Sequence, residues 1–223
     1  MLQFLNKYAG AIFDLDGTLI DSMHVWDHIS RDWLIAGGID PALIPADMET
    51  AFVSMTIAET TAYVIDHFGI PLSQKEIAAQ WEAMALGEYQ ENVPLKPGAA
   101  ELLRVLAERG IKLAIATSSF PACCEAALGR HDIRKYFSAI VYSGEVKRNK
   151  TFPDIWLAAA SRLDLAPKSC VVFEDMYAAL KGVRAAGMGF VAVYDDTCAN
   201  WPAMQAEADL ALESLAAIPP ALF

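Results

Sequence analysis

Two close-set pairs of acids stand out in this chain. In AIFDLDGTLIDS, residues 11–22, Asp14 and Asp16 follow an apolar run, and Gly17 permits a sharp turn behind them. Alternate residues of an extended chain point the same way, so both carboxylates can converge on one small volume, where like charges invite a cation or unequal protonation. Read alone, the same spacing also fits a polar loop with an Asx turn. The second pair, Glu174-Asp175, again closes an apolar run. Between the pairs lie the hydroxyl cluster Thr117-Ser118-Ser119, ahead of a helix expected near Pro121, and Lys150 in the stretch Asn149 to Asp154. Exposed backbone N–H groups at a helix start favour a phosphate, although an ordinary cap uses the same residue types.

These residues need a frame that gathers them. Apolar runs of strand length occur at 8–13, 112–116, 139–142, 170–173 and 190–193, and helical periodicity fills 99–109, 122–128, 152–163 and 178–186. Strand and helix in alternation, with strands apolar throughout, predict a doubly wound α/β parallel sheet covered on both faces. Two acids, a hydroxyl cluster, a lysine and two more acids then arrive at one sheet edge, the edge where such folds bind ligands. From Ser22 to about Val93 the alternation stops, leaving helical patterns at 26–36, 57–68 and 74–89. The expected organisation is therefore a catalytic core of 1–21 and 95–223, with 22–94 inserted over the edge as a small helical cap domain.

Charge and composition narrow the partners. With 17 Lys and Arg against 28 Asp and Glu, the net charge is −11, and no extended basic run offers the face that nucleic acid or an anionic membrane requires. The longest stretch free of Asp, Glu, Lys and Arg is 113–124, well short of the roughly 20 apolar residues of a membrane span. No signal-like start is evident, so a cytoplasmic location is expected. Cys123, Cys124, Cys170 and Cys198 form no C-x-x-C pair and read as free, buried thiols rather than a disulfide or zinc framework.

Across essentially its whole length the chain resembles the haloacid dehalogenase-like (HAD) superfamily, in its phosphatase and β-phosphoglucomutase-like branch with a helical cap after the first motif. FDLDGTLIDS and VVFEDMYAALKGVRAAGM, residues 171–188, carry the resemblance most specifically. It implies that Asp14 attacks phosphorus to form an aspartyl-phosphate and that Asp16 acts as general acid and then base. It implies Mg²⁺ held by Asp14, the backbone carbonyl of Asp16 and Asp175, with Glu174 a secondary ligand or an acceptor that orients metal-bound water. It further implies Thr117 and Lys150 as catalytic groups, with Thr117, Ser118 and Lys150 binding the transferring phosphoryl group. Lys150 rather than Lys147 fits the third motif, because Pro153-Asp154 stands at the family spacing from it. Thr151 and Met176 depart from the family's usual proline and serine.

The implied activity is Mg²⁺-dependent hydrolysis of a small phosphorylated metabolite, without an obligate protein partner. Asp16 argues against the dehalogenase and phosphonate-cleaving relatives, which lack the second aspartate. A sugar-phosphate phosphomutase is the alternative, but the matching cap stretch Ser54-Met55-Thr56-Ile57 lacks the arginine that would hold a second phosphate. A further alternative is a phosphate-binding regulatory module without turnover. His24 and His28 share a helix face at a metal-like spacing, yet no nearby Glu completes a zinc site, and they are not expected to be metal ligands; contact of one with substrate stays open, because their helix begins shortly beyond Gly17-Thr18. The cap aromatics, Trp26, Trp33, Phe52, Tyr63, Phe68, Trp81 and Tyr89, are most simply the cap's own core, with a place in the substrate pocket open to some of them that sequence does not sort.

Overall fold

A computed structural model describes residues 4–52, 55–198 and 200–217. Its centre is a six-stranded, all-parallel sheet in the order β3-β2-β1-β4-β5-β6. The strands are β1 (Gly10–Phe13), β2 (Lys112–Thr117), β3 (Phe137–Tyr142), β4 (Cys170–Glu174), β5 (Gly189–Val193) and β6 (Leu210–Leu212). The α/β expectation is met: each of the five predicted strands forms, within two residues at either end. The sixth, three residues long on the sheet edge, was not foreseen.

Side chains along the inner strands alternate between two cores. Phe13, Ile115, Phe173 and Val191 face one of them, together with Leu102, Leu103 and Leu106 of α5 (Ala99–Glu108) and Cys123 and Cys124 of α6 (Pro121–Arg130). Ile12, Ala114, Val172 and Phe190 face the other, with Ile155, Trp156 and Ala159 of α7 (Asp154–Arg162) and Leu180 and Val183 of α8 (Ala179–Ala185). Burial on both faces explains why these strands read as unbroken apolar runs. A last helix, α9 (Trp201–Glu207), adds Met204 to the second core.

Residues 22–94 build α1 (Met23–Ala36), the short α2 (Met48–Phe52), α3 (Ile57–Phe68) and α4 (Gln74–Glu91). Capping boxes start α3 at Thr56 with Glu59 and α4 at Ser73 with Glu76, while Gly69 in the left-handed region ends α3. The chain leaves and re-enters through adjacent segments: Asp21 N–H donates to Pro94 O (2.9 Å), Lys96 N–H donates to Leu19 O (2.9 Å), and Ile20 pairs antiparallel with Leu95. Helix α4 rests on α6, and the apolar interior of the inserted helices is continuous with the first core. All four cysteines are free; Cys123, Cys124 and Cys170 are buried, and burial pushes the Cys123 and Cys124 thiols up to about 12. Among the described residues no helix is long and apolar enough to cross a membrane.

Candidate active site

Strands β1 and β4 are neighbours, and Asp14 N–H donates to Phe173 O (3.0 Å), so the residues that follow them emerge side by side. Asp14, Glu174 and Asp175 are all buried, and a carboxylate oxygen from each lies within 4.8 Å of the other two. Lys150 enters this group from the turn before α7. Its Nζ donates to Asp14 Oδ1 and, at 2.9 Å, to Glu174 Oε1. The lysine is itself buried, and its backbone is fixed from below, where Trp156 Nε1 donates to Lys150 O (3.0 Å). Gly182 packs so tightly there that a Cβ would lie 2.2 Å from that same carbonyl.

Three carboxyls against one ammonium leave the buried cluster short of positive charge. Burial pushes the Asp14 carboxyl up to about 7; Lys150 opposes this, while Glu174 and Asp16 add to it. Asp175 is raised well above the ordinary carboxylate range by burial and by the Glu174 and Asp14 charges, against a 2.6 Å hydrogen bond from Thr18 Oγ1. For Lys150, burial works against the ammonium, but Asp14 and Glu174 outweigh it and hold the group charged. Hard oxygen donors with excess negative charge suit a divalent cation such as Mg²⁺. Gly17, at φ +81°, makes the approach possible, since a Cβ there would sit 2.5 Å from Asp175 Oδ2.

Asp16 belongs to a different network. Its Oδ1 accepts from Ser22 Oγ (2.6 Å) and from the hydroxyl of Tyr89 on α4, and Tyr89 in turn accepts from Trp26 Nε1 on α1 at 2.7 Å. Burial and the Asp16 charge raise the Tyr89 phenol further above its ordinary value, which keeps it a donor. The two acids of the first motif thus point to separate partners: Asp14 to the lysine and acids of the core, Asp16 to the inserted helices.

A cavity of about 170 Å³ opens over the cluster, bounded below by Asp14, Asp16, Lys150, Glu174 and Asp175, and to one side by Ser118 and Ser119. Thr117 is fully buried beneath it and does not reach the lining; its Oγ1 accepts from Ser119 N–H (2.9 Å) and shapes the turn. Glu174 Oε2 accepts from Met176 N–H (2.5 Å), so the backbone after the acidic pair is held even though methionine stands there. The roof consists of Met23, Trp26, Ile29, Phe52, Met55, Ile57 and Trp81, with Ser30, Glu49 and Thr60 as its polar members. The cap aromatics therefore do more than fill a core: Trp26, Phe52 and Trp81 line the cavity and Tyr89 anchors Asp16. Periodicity could not separate these tasks. His24 and His28 are exposed and line nothing. Of the Ser54 to Ile57 stretch, Ser54 lies outside the described residues, and Thr56 serves as the cap of α3.

Comparison with known proteins accords with this geometry. The profile of the haloacid dehalogenase-like hydrolases matches residues 8–187, and the chain belongs to that family. It is 36% identical over 214 residues to hexitol phosphatase A of Escherichia coli, covering 94% of this chain and 92% of that one. It is 30% identical to the fructose-1-phosphate phosphatase YqaB of the same organism, covering 84% and 97%. Among solved structures, β-phosphoglucomutase from Clostridium difficile superposes with a TM-score of 0.79 at 23% identity, covering 95% and 93%, and shares the fold. The two curated relatives are phosphatases by name, and the solved structure shows the shared fold.

Proposed function

We propose that the protein is a phosphatase of a small phosphorylated metabolite, working through an aspartyl-phosphate on Asp14 and requiring Mg²⁺. The observation that carries this reading is the contact of Lys150 with Asp14 inside a buried cluster of three acids, beneath a cavity of metabolite size. Asp14 attacks phosphorus, the bond to the ester oxygen breaks, and Asp16 gives that oxygen its proton. Asp16, now a carboxylate, takes a proton from water as the water oxygen attacks phosphorus. The bond to Asp14 then breaks, releasing phosphate and restoring both acids.

Lys150 offsets charge on Asp14 and the phosphoryl oxygens, and Ser118 bounds the phosphoryl position with its hydroxyl and backbone. Thr117 acts from beneath, by fixing Ser119. Asp14, the Asp16 carbonyl and Asp175 would hold Mg²⁺, with Glu174 beside them, and the ion would neutralise phosphoryl charge during transfer. Residues 22–94 serve as a cap that selects the leaving group and limits water.

The cavity favours hydrolysis over the mutase reading. Lys150 is the single Lys or Arg among its described lining residues, whereas a phosphomutase must hold a second phosphate. Phosphate release from a panel of phosphorylated metabolites, with and without Mg²⁺, tests the proposal against Asp14→Asn as the blank. Selective metal-dependent release is expected. Release undiminished in Asp14→Asn, or conversion of a sugar phosphate to its isomer after priming by a bisphosphate, would overturn it.

A further inference from the structure

The segment that returns from the inserted helices carries an ion pair that the proposed reaction leaves unused. Lys96 Nζ donates to Asp195 Oδ2 (2.5 Å) and to Tyr194 O (3.3 Å), both just beyond β5. Asp195 is buried, and its Oδ1 accepts from Thr197 N–H (3.0 Å) and Thr197 Oγ1 (2.6 Å), so the carboxylate is fixed from its own side. The Lys96 side chain is only 15% exposed, which sets this pair apart from a screened surface contact. A buried ion pair adds little net stability, but its geometry is directional, which suits it to fixing register more than to holding the fold together.

Lys96 joins two loops that flank the acids. Its backbone N–H donates to Leu19 O after β1, its ammonium reaches the end of β5, and β4 with Glu174-Asp175 lies between those strands. Leu19 closes the turn that carries Asp16: Leu19 N–H donates to Leu15 O (2.8 Å), and Gly17 N–H donates to Ile20 O (2.9 Å). Tyr89, which donates to Asp16, stands at the other end of the returning segment, seven residues before Lys96. Asp21 with Pro94 and Ile20 with Leu95 tie that segment to the outgoing one, which can move with it. Side chains tie it to the rest of the core. Arg130 Nη1 donates to Val93 O, with His131 Nε2 2.9 Å from the same oxygen, and Asp195 holds Lys96. Arg130 and His131 close α6, which follows β2 on one side of β1, whereas Asp195 follows β5 on the other. The returning segment is thus gripped from both sides.

Resting on the phosphatase reading, we infer that Lys96 is a positioning residue for that reaction: its ion pair with Asp195 fixes the returning segment against the sheet, and with it the alignment of Tyr89 on Asp16. Lys96 does not line the cavity and touches no reacting group. Without the pair the segment keeps its grip on α6 and yields on the β5 side. A shift there is carried along 89–96 to the Tyr89 hydroxyl, and a general acid works only within a narrow range of positions.

The test is a double-mutant cycle read in kcat, on the ester that the wild type hydrolyses fastest. Lys96→Met should lower kcat about fivefold with KM changed less than about twofold, a loss no larger than that of deleting the Tyr89 donor outright. Lys96→Arg should bring kcat back to within about twofold of wild type, because a guanidinium donates to the same carboxylate. In a Tyr89→Phe background Lys96→Met should cost less than about twofold more, since the bond it aligns is already gone. Effects that multiply in the double variant overturn the inference. So does an intact kcat in Lys96→Met, whether or not Tm falls, or a Lys96→Arg no better than Lys96→Met. Should Lys96→Met fail to fold, Asp195→Asn keeps the side chain's shape and removes its charge; kcat should fall about threefold, and exchange should quicken at the Asp21 and Lys96 amides while β2 stays protected. Unaltered kcat in Asp195→Asn overturns the inference. Independent Lys96 and Tyr89 effects sink this inference alone, whereas no release from any ester by the wild type sinks the phosphatase reading and this one with it.

Discussion

The hydroxyl of Tyr89, on the last inserted helix, donates to Oδ1 of Asp16, 73 residues away in the sequence. This bond and the Ser22 bond to the same oxygen fix one side of the carboxylate. On the proposed mechanism the other oxygen serves the reacting groups. A general acid depends on being held within hydrogen-bond reach of the atom it protonates. Tyr89→Phe keeps the buried ring and deletes the donor, so kcat should fall about tenfold while KM changes less than twofold. Steady-state kinetics on one substrate reads both. An equal rise in KM with kcat intact would assign Tyr89 to substrate binding instead.

Lys150→Met should damage both stability and turnover. It leaves the Asp14 and Glu174 carboxylates buried without their cation, a loss of about 3 kcal/mol in comparable buried pairs. Urea unfolding gives the first quantity and phosphate release the second, which should drop by at least about 10²-fold. Added Mg²⁺ should restore part of the stability and little of the rate.

The acid cluster predicts how stability follows pH when divalent cations are removed. Asp14 is raised from 3.8 to about 7 and Asp175 is raised in the same direction, chiefly by burial. Between about 4 and 7 the folded chain keeps protons that the unfolded chain has released, so this contribution is full below about 4 and is lost as pH rises through 7. In EDTA, thermal scans should therefore show Tm falling between pH 5.5 and 8. Asp14→Asn should flatten that slope and raise Tm at pH 8. Mg²⁺ should flatten it too, because binding to the folded state alone stabilises by mass action.

Gly182 offers a test remote from the motif residues. A Cβ at this position would meet Lys150 O at 2.2 Å and Phe152 O at 2.7 Å, both backbone atoms with little room to yield. Gly182→Ala should cost about 1–3 kcal/mol and displace the lysine turn. The expected signature is a drop in kcat larger than at Ala179→Gly on the same helix, measured with unfolding curves for both.

The parallel core was legible because its strands are apolar on both faces and its helices are not. The carboxyl-terminal edge followed from the position of the motif residues, each standing just after an apolar run. The short strand Leu210–Leu212 escaped because two of its three residues are only half-buried at the sheet edge, which leaves no periodic signal. Within the site, Asp14, Lys150, Glu174 and Asp175 converge as their motif spacing implied, whereas Thr117 supports the turn that presents Ser118 and Ser119 instead of lining the cavity. Tyr89 and Trp81 were invisible as site residues: each sits at a helical core spacing, and only the tertiary docking of α4 turns one to Asp16 and the other to the cavity.

The paired crossing of the chain at Ile20 and Leu95 has an architectural consequence. Everything between them enters and leaves through one two-stranded doorway, so the intervening helices amount to a cassette with just two splice points, both hydrogen-bonded to each other. Grafting the 22–93 segment of a relative between those points would leave Asp14, Lys150, Glu174 and Asp175 untouched while exchanging the entire roof. On the proposed reading, chemistry and selectivity are then written in separable stretches of the chain, and a graft must preserve the bonds of Ser22 and Tyr89 to Asp16 to keep that acid in register.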